Sequence, residues 1–191
     1  MSILANKIDF AAIVSVTRAN INGDPLNGNR PREDYNGHGV ISDVAIKRKL
    51  RNRLQDMGEC IFVQSDDRSD DGCKSLKERA ENFKELKSEL SKGKKLDRDK
   101  CIQLACRKWF DVRAFGQVFA FKGDEVSISV RGPVSIQQAI SVSPKDIVDM
   151  QITKSVNSEA GKSGKSSDTM GMKHYVNFGL YVIRGSINCQ L

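Results

Sequence analysis

The chain has 191 residues, 39% of them hydrophobic and 29% charged, with a formal net charge of +7. That length holds one domain, or one domain with large insertions, and enough apolar material for a real core. The positive excess and an isoelectric point near 9.2 favour an acidic partner, nucleic acid ahead of membrane. Apolar runs are too short to span a bilayer, and only 6% aromatics argues against binding bases mainly by stacking on rings. The five cysteines, Cys60, Cys73, Cys101, Cys106 and Cys189, form no CxxC and follow no signal-peptide segment. This usage suits reduced thiols in a cytoplasm rather than a disulfide scaffold.

In chain order, residues 7–18 (KIDFAAIVSVTR) predict a strand buried on at least one face. A loop rich in Gly, Asn and Pro follows and runs into a helix. Ser42 or Asp43 can cap that helix, Ile46, Leu50, Leu54 and Met57 recur at helical spacing, and Gly58 ends it. Lys47, Arg48, Lys49, Arg51 and Arg53 fill the positions the apolar stripe leaves. Loop amides beside these cations suit a polyanion, although a charge run of this kind is also what a solvated helix face looks like. Cys60–Val63 predicts a short second strand. From Ser65 to Lys100 the composition turns highly charged and predicts an exposed helical insertion with a sparse Leu76, Phe83, Leu86, Leu90 stripe, joined to a helix near Arg98–Lys108.

Asp111–Phe121 (DVRAFGQVFAF) partly matches an RNA-recognition strand signature that would place Phe115 under a base. Val112, Phe115, Val118 and Phe119 also fall at helical spacing, with Asp111 as N-cap, and the buried helix is the favoured expectation. Val126–Ser143 predicts a long strand interrupted at Gly132–Pro133, because proline cannot donate to a ladder. Asp149–Val156, a small-residue tip at Asn157–Asp168, and Thr169–Asn188 predict a long hairpin.

GKSGKSS in that tip is not a P-loop, because the required first glycine falls at Glu159 and no helix follows. It reads better as a flexible cationic tip, with Lys162 and Lys165 near phosphates. His38 and His174 are the only histidines. With Asp24, Asp34 and Asp43 near His38, a metal-assisted or acid–base nuclease is chemically conceivable. No pair has diagnostic spacing, though, and Asp/Asn/Gly clusters ordinarily make turns. Met170 and Met172 are either gap-filling core residues or apolar wedges between nucleotides.

Four blocks, INGDPLNGNRPRED with GHGVISDVAIKRKLRNRL, FDVRAFGQVFAF, RGPVSIQQAISVSP, and ITKSVNSE with DTMGMKHYVNFGLYVIRGSIN, together resemble the type I-C CRISPR backbone subunit. That protein is repeated along the guide RNA of the type I-C surveillance complex, Cascade. The resemblance implies an α+β fold: an RRM-like (ferredoxin-like) palm at residues 1–64 and 110–191, a helical finger insertion at 65–109, and a β-hairpin thumb at 141–177. It implies a non-catalytic protein without cofactor or metal. Its partners would be crRNA, target DNA through guide pairing, other copies of itself and other Cascade subunits, with no membrane. By matching block, the implied RNA contacts are Arg18, Asn20, Asn22, Ser42, Lys47, Arg48, Arg51, Gln137, Gln138, Lys154 and Lys173, with Met170 and Met172 on the base-displacing thumb. Related backbone subunits of type III complexes cut RNA with a loop aspartate, which makes Asp24 or Asp34 the rival proposal. Members of the family run further than Leu191, so the implied palm would lack a second helix and closing strand. An exposed edge and dependence on neighbouring copies are then expected.

Overall fold

The computed structural model describes residues 4–121, 127–153 and 170–190. The chain begins with β1 (Ile8–Ala19), the two-residue strands β2 (Gly23–Asp24) and β3 (Arg30–Pro31), β4 (His38–Ile41) and α1 (Asp43–Asp56). Helices α2 (Leu76–Asn82), α3 (Lys84–Leu90), α4 (Arg98–Lys108) and α5 (Phe110–Phe115) come next. The remaining strands are β5 (Gly116–Phe119), β6 (Ile128–Arg131), β7 (Val134–Ile136), β8 (Ala139–Pro144), β9 (Ile147–Thr153) and β10 (Met170–Ile187). The fold is thus mixed α+β with antiparallel pairing. Two compact units result: Met1–Phe10, Ile46–Ile136 and Gly185–Leu191 form the first, and Ala11–Ala45 with Gln137–Arg184 form the second. Residues 65–109, expected as a finger, belong to the same unit as 46–64 and 110–136.

The first unit is organised by an aromatic core. The Phe62 ring, fully buried, lies 4.7 Å from Trp109 and 5.1 Å from Phe119, and Phe83 meets Trp109 edge-on at 5.6 Å. Burying a side chain such as Phe62 contributes roughly 1.5–3 kcal/mol. The expected solvated lobe is therefore part of the core. Leu86 is buried, and Leu76, Phe83 and Leu90 pack against the cluster. The charged helix divides in two because Phe83 leaves helical geometry (φ −84°, ψ 96°), a conformation in which its ring meets Trp109.

Three further expectations need correction here. Cys60–Val63 is not a strand: Ile61 and Phe62 are buried in an irregular segment. Asp111 pins that segment rather than capping a helix. Its carboxylate, 1% exposed, accepts the Phe62 amide at 2.7 Å, the Val63 amide at 3.0 Å and Arg51 Nε at 3.0 Å. Finally, the helix expected through Phe121 stops at Phe115. Gly116 turns the chain at φ +78° into the β5–β6 hairpin, and a Cβ there would sit 2.8 Å from the Gly132 nitrogen.

Helix α1 also differs from its sequence pattern. Of its apolar stripe only Ile46 is buried, whereas Leu50 and Met57 are exposed. Its inward contacts are polar instead. Arg51 pairs with Asp111, Arg48 Nη1 donates to the Val63 carbonyl at 2.7 Å, and Gln55 Nε2 donates to the Arg68 carbonyl and to Asp70. Nearby, Arg79 donates to the Phe62 carbonyl and pairs with Asp71, whose carboxyl that guanidinium holds far below the usual range.

In the second unit the strand order is β1-β10-β8-β4, and β9 pairs with β10. Tyr181 opposes Ser141, and β9 runs antiparallel to β10 from Ile147↔Val176 to Thr153↔Met170, which is the expected long hairpin. The tip at 157–168, with Lys162 and Lys165, lies outside the described residues. Val16, Ile41, Ala139, Val176 and Tyr181 are buried. The strand expected over Val126–Ser143 is broken twice, at Gly132–Pro133 and again at Gln137–Gln138. Gly39 is required because a Cβ would run into the hydroxyl of buried Tyr181 and the Lys145 stem (2.7 Å from Lys145 Cδ), which crosses here on its way to Glu33 at 3.0 Å.

Removing the partner of a buried carboxylate strands its charge. Arg51→Ala is expected to lower unfolding stability by about 3 kcal/mol, read from urea denaturation, while Lys49→Ala, on the exposed face, shifts it by less than about 0.5 kcal/mol. Equal effects would contradict the anchoring role. A second test uses pH. Glu89 is held near 2, first by Lys92 and then by the Asp97 amide, against an ordinary value of 4.5. A lowered carboxylate pKa stabilises the folded state above its unfolded value. This contribution is therefore complete above about 4.5 and fades as pH falls towards about 2. Acid titration of Glu89→Gln should lose less stability across that window than the parent chain.

Candidate nucleic-acid interface

The Gly/Asn/Pro loop of the second unit is built from its own polar groups. Asp24 Oδ1 accepts the Leu26 amide at 3.2 Å and starts a short 3-10 turn at Pro25–Asn27. Gly28 (φ +55°) and Asn29 (φ +60°) then reverse the chain so that Gly23 opposes Pro31. The Asn29 amide returns to the Asp24 carbonyl at 2.8 Å, and the Arg32 amide reaches Asn22 O at 3.1 Å. Asp34 Oδ1 accepts the amides of Asn36 and His38, each at 2.9 Å. Ser141 Oγ takes the Gly39 amide, and the Arg32 carbonyl takes that of Val40. The loop amides that suggested a phosphate cradle are thus largely engaged inside the loop. What remains for an anion is side-chain charge.

The candidate residues accordingly divide by where their polar atoms go. Asn22 Oδ1 accepts the Ser42 amide at 2.9 Å, and Ser42 Oγ caps α1 by accepting the Ala45 amide at 3.2 Å. Asn20 Nδ2 donates to the Asn29 carbonyl at 2.6 Å, leaving its buried Oδ1 without a partner. Arg48 and Arg51 turn into the first unit's core, as described above, and Lys47 beside them is half-buried. Arg18, Gln137, Gln138, Met170, Met172 and Lys173 are exposed. Arg18 holds a left-handed backbone (φ +47°) within β1, a conformation that costs a non-glycine residue on the order of 1–3 kcal/mol. Lys154 lies outside the described residues.

Met170 and Met172, 64% and 56% exposed, are not core residues, so the gap-filling alternative does not describe them. With Lys173 they form the exposed end of β10, opposite Thr153, Gln151 and Met150. Sequence reasoning missed the contact made along this strand. Arg30, from the loop, reaches both Asp149 oxygens at 2.6 and 2.7 Å, and His174 Nδ1 shares the same carboxylate at 2.7 Å. The partners lie 119 residues apart, and no local pattern encodes such a pairing.

Two of the carboxylates weighed for a nuclease, Asp24 and Asp34, have structural duties. Asp34 organises its turn, and Asp24 caps a turn and pairs with Arg32 at 3.3 Å. Among the described residues no group of three His, Cys, Asp or Glu side chains is arranged to hold a metal ion, and no helix is long and apolar enough to cross a membrane. A cavity of about 350 Å³ lies in the first unit among Gln55, Cys60, Asp70, Arg79 and Trp109, and none of the candidate contacts lines it.

The division between structural and exposed candidates has a measurable consequence. Asn22→Ala should cost about 1 kcal/mol by leaving the Ser42 amide unpaired, whereas Met170→Ala and Met172→Ala should each stay within about 0.5 kcal/mol. A thermal or urea melt ranks them, and destabilisation by the methionine variants would return those side chains to a packing role.

The family described as CRISPR-associated protein Cas7 matches residues 6–191. A curated relative from Haloferax volcanii, described as CRISPR-associated protein Cas7, is 42% identical over 60 residues, or 31% of this chain and 18% of the relative. In fold, the chain is similar to a chain of a solved CRISPR RNA-guided surveillance complex in a pre-nicking state. The TM-score is 0.56 at 18% identity, covering 96% of this chain and 61% of that one. The chain therefore spans less than two thirds of the length of both proteins. Because the family match runs through almost the whole sequence, the chain belongs to the CRISPR-associated protein Cas7 family.

Proposed function

We propose that the chain is a non-catalytic, crRNA-binding backbone subunit of a type I-C CRISPR interference complex. It polymerises along the guide spacer and presents it for pairing with target DNA, so that base pairing, not the protein, reads sequence. The observation that carries this reading is family membership over residues 6–191, taken with a hairpin whose end exposes Met170, Met172 and Lys173. In this reading the second unit's sheet belongs to an RRM-like palm, the β9–β10 hairpin is the thumb, and 65–109 is the finger. Its partners are crRNA, further copies of itself, the other Cascade subunits and, through the guide, target DNA.

The physics is charge neutralisation on a ribose-phosphate strand. Arg18 and Lys173 are the best-placed candidate cations, since Arg48 and Arg51 are turned inward. Met170 and Met172 offer apolar side chains that can interrupt stacking between nucleotides. The turn duties of Asp24 and Asp34 support the non-catalytic assignment over target-RNA cleavage.

Binding measured in the complex assembled with its sister subunits is expected to weaken with salt, by a log–log slope of about −0.7 per phosphate neutralised. Arg18→Ala and Lys173→Ala should each reduce the slope's magnitude by about 0.7 and weaken unrelated guides alike. A loss confined to one guide sequence, or an unchanged slope in both variants, contradicts backbone gripping.

A further inference from the structure

Among the described residues of the second unit lies a cluster of charged side chains that the proposed RNA contacts do not absorb. Arg30 Nη1 lies 2.6 and 2.7 Å from the two Asp149 oxygens, His174 Nδ1 lies 2.7 Å from Asp149 Oδ1, and Arg30 Nη1 is 3.5 Å from that same ring nitrogen. These residues come from three strands: Arg30 from β3, Asp149 from β9, and His174 from β10 directly opposite Asp149. The His174 side chain is only 11% exposed, and its Nε2 faces the loop, 3.9 Å from where a Gly28 Cβ would stand. Gly28 and Asn29 hold left-handed conformations in this turn.

We propose that Arg30, Asp149 and His174 form a latch that fixes the β9–β10 hairpin to the 24–30 turn. The latch sets the spacing between cations at the loop side and the Met170, Met172 and Lys173 end of the hairpin. These three are positioning residues, and the proposal rests on the RNA-binding reading for its consequence, though not for its geometry. Three observations support it. Arg30 and Asp149 are 119 positions apart, so their pairing ties two elements remote in sequence. Glu33, the other carboxylate near Arg30, is taken by Lys145 at 3.0 Å, which leaves Asp149 as the partner. The Arg30 guanidinium, and after it His174, keep the Asp149 carboxyl below its usual range, so that carboxylate keeps its charge further into acid than an ordinary aspartate.

The pair is partly exposed, at 31% and 42% for the two side chains. Such pairs contribute little to global stability, and the latch therefore acts on local geometry. Asp149→Asn removes a negative charge, so electrostatics alone would tighten RNA binding. The latch predicts the opposite: binding of a guide RNA by the assembled complex weakens about tenfold, with the salt slope unchanged because no phosphate contact is lost. Hydrogen exchange at the Asn29 and Arg32 amides, both bonded within the turn, should speed up about tenfold in the same variant without RNA.

Arg30→Lys, which keeps the charge but loses the planar fork, should be intermediate, and it serves if Asp149→Asn does not fold. Tighter or unchanged RNA binding by Asp149→Asn, or unaltered exchange, overturns the latch. If the parent chain binds no guide RNA, the functional reading fails, and exchange alone decides whether the latch exists.

Discussion

A carboxylate buried in a protein interior must be met by donors, and this chain places one at Asp111. Satisfying it takes two main-chain amides from Phe62–Val63 and the side chain of Arg51. That single requirement explains why Cys60–Val63 is irregular although its composition favours a strand. It also explains why α1 lies with cations inward and Leu50 outward. Packing then follows: with Phe62 held, Trp109, Phe83 and Phe119 close around it. Breaking such a pair costs more than making it gains, because the uncompensated charge stays behind.

The same requirement changes the meaning of the basic helix. A run of five cations on one helix reads as an anion-binding surface in waiting, and two of them, Arg48 and Arg51, are spent on the interior. The loop ahead of the helix behaves alike, since its Asp and Asn side chains and most of its amides close turns. On the proposed function, the polyanion is met by exposed side chains such as Arg18 and Lys173, not by a ready-made cradle of main-chain donors. Binding of that kind is insensitive to base identity, as a proposal in which the guide does the reading requires.

Much of the fold was legible because its signals are local. β-Branched residues and partial alternation gave β1 as a strand, although not the buried face expected of it, since only Val16 is buried; the Gly58 stop and the Ser42 cap bounded α1, and the polar tip between β-rich runs gave the β9–β10 hairpin. Leu76, Phe83, Leu86 and Leu90 were recognisable as one stripe, but the break at Phe83 was not, because an aromatic contact with Trp109 overrides helix propensity there. The helix expected through Phe121 failed for a similar reason: Gly116 is needed for close backbone approach to Gly132. Long-range electrostatic pairs were the least visible. Arg51 with Asp111, Lys145 with Glu33, and Arg30 with Asp149 lie at separations that no periodicity marks.

The most direct test of the whole account is the nucleic acid that accompanies the protein when it is purified from cells also making its sister subunits and a guide array. The account predicts small RNA of uniform length and varied internal sequence, bound in stoichiometric amount. Recovery of the assembled proteins free of RNA, or with RNA of one sequence only, would contradict it.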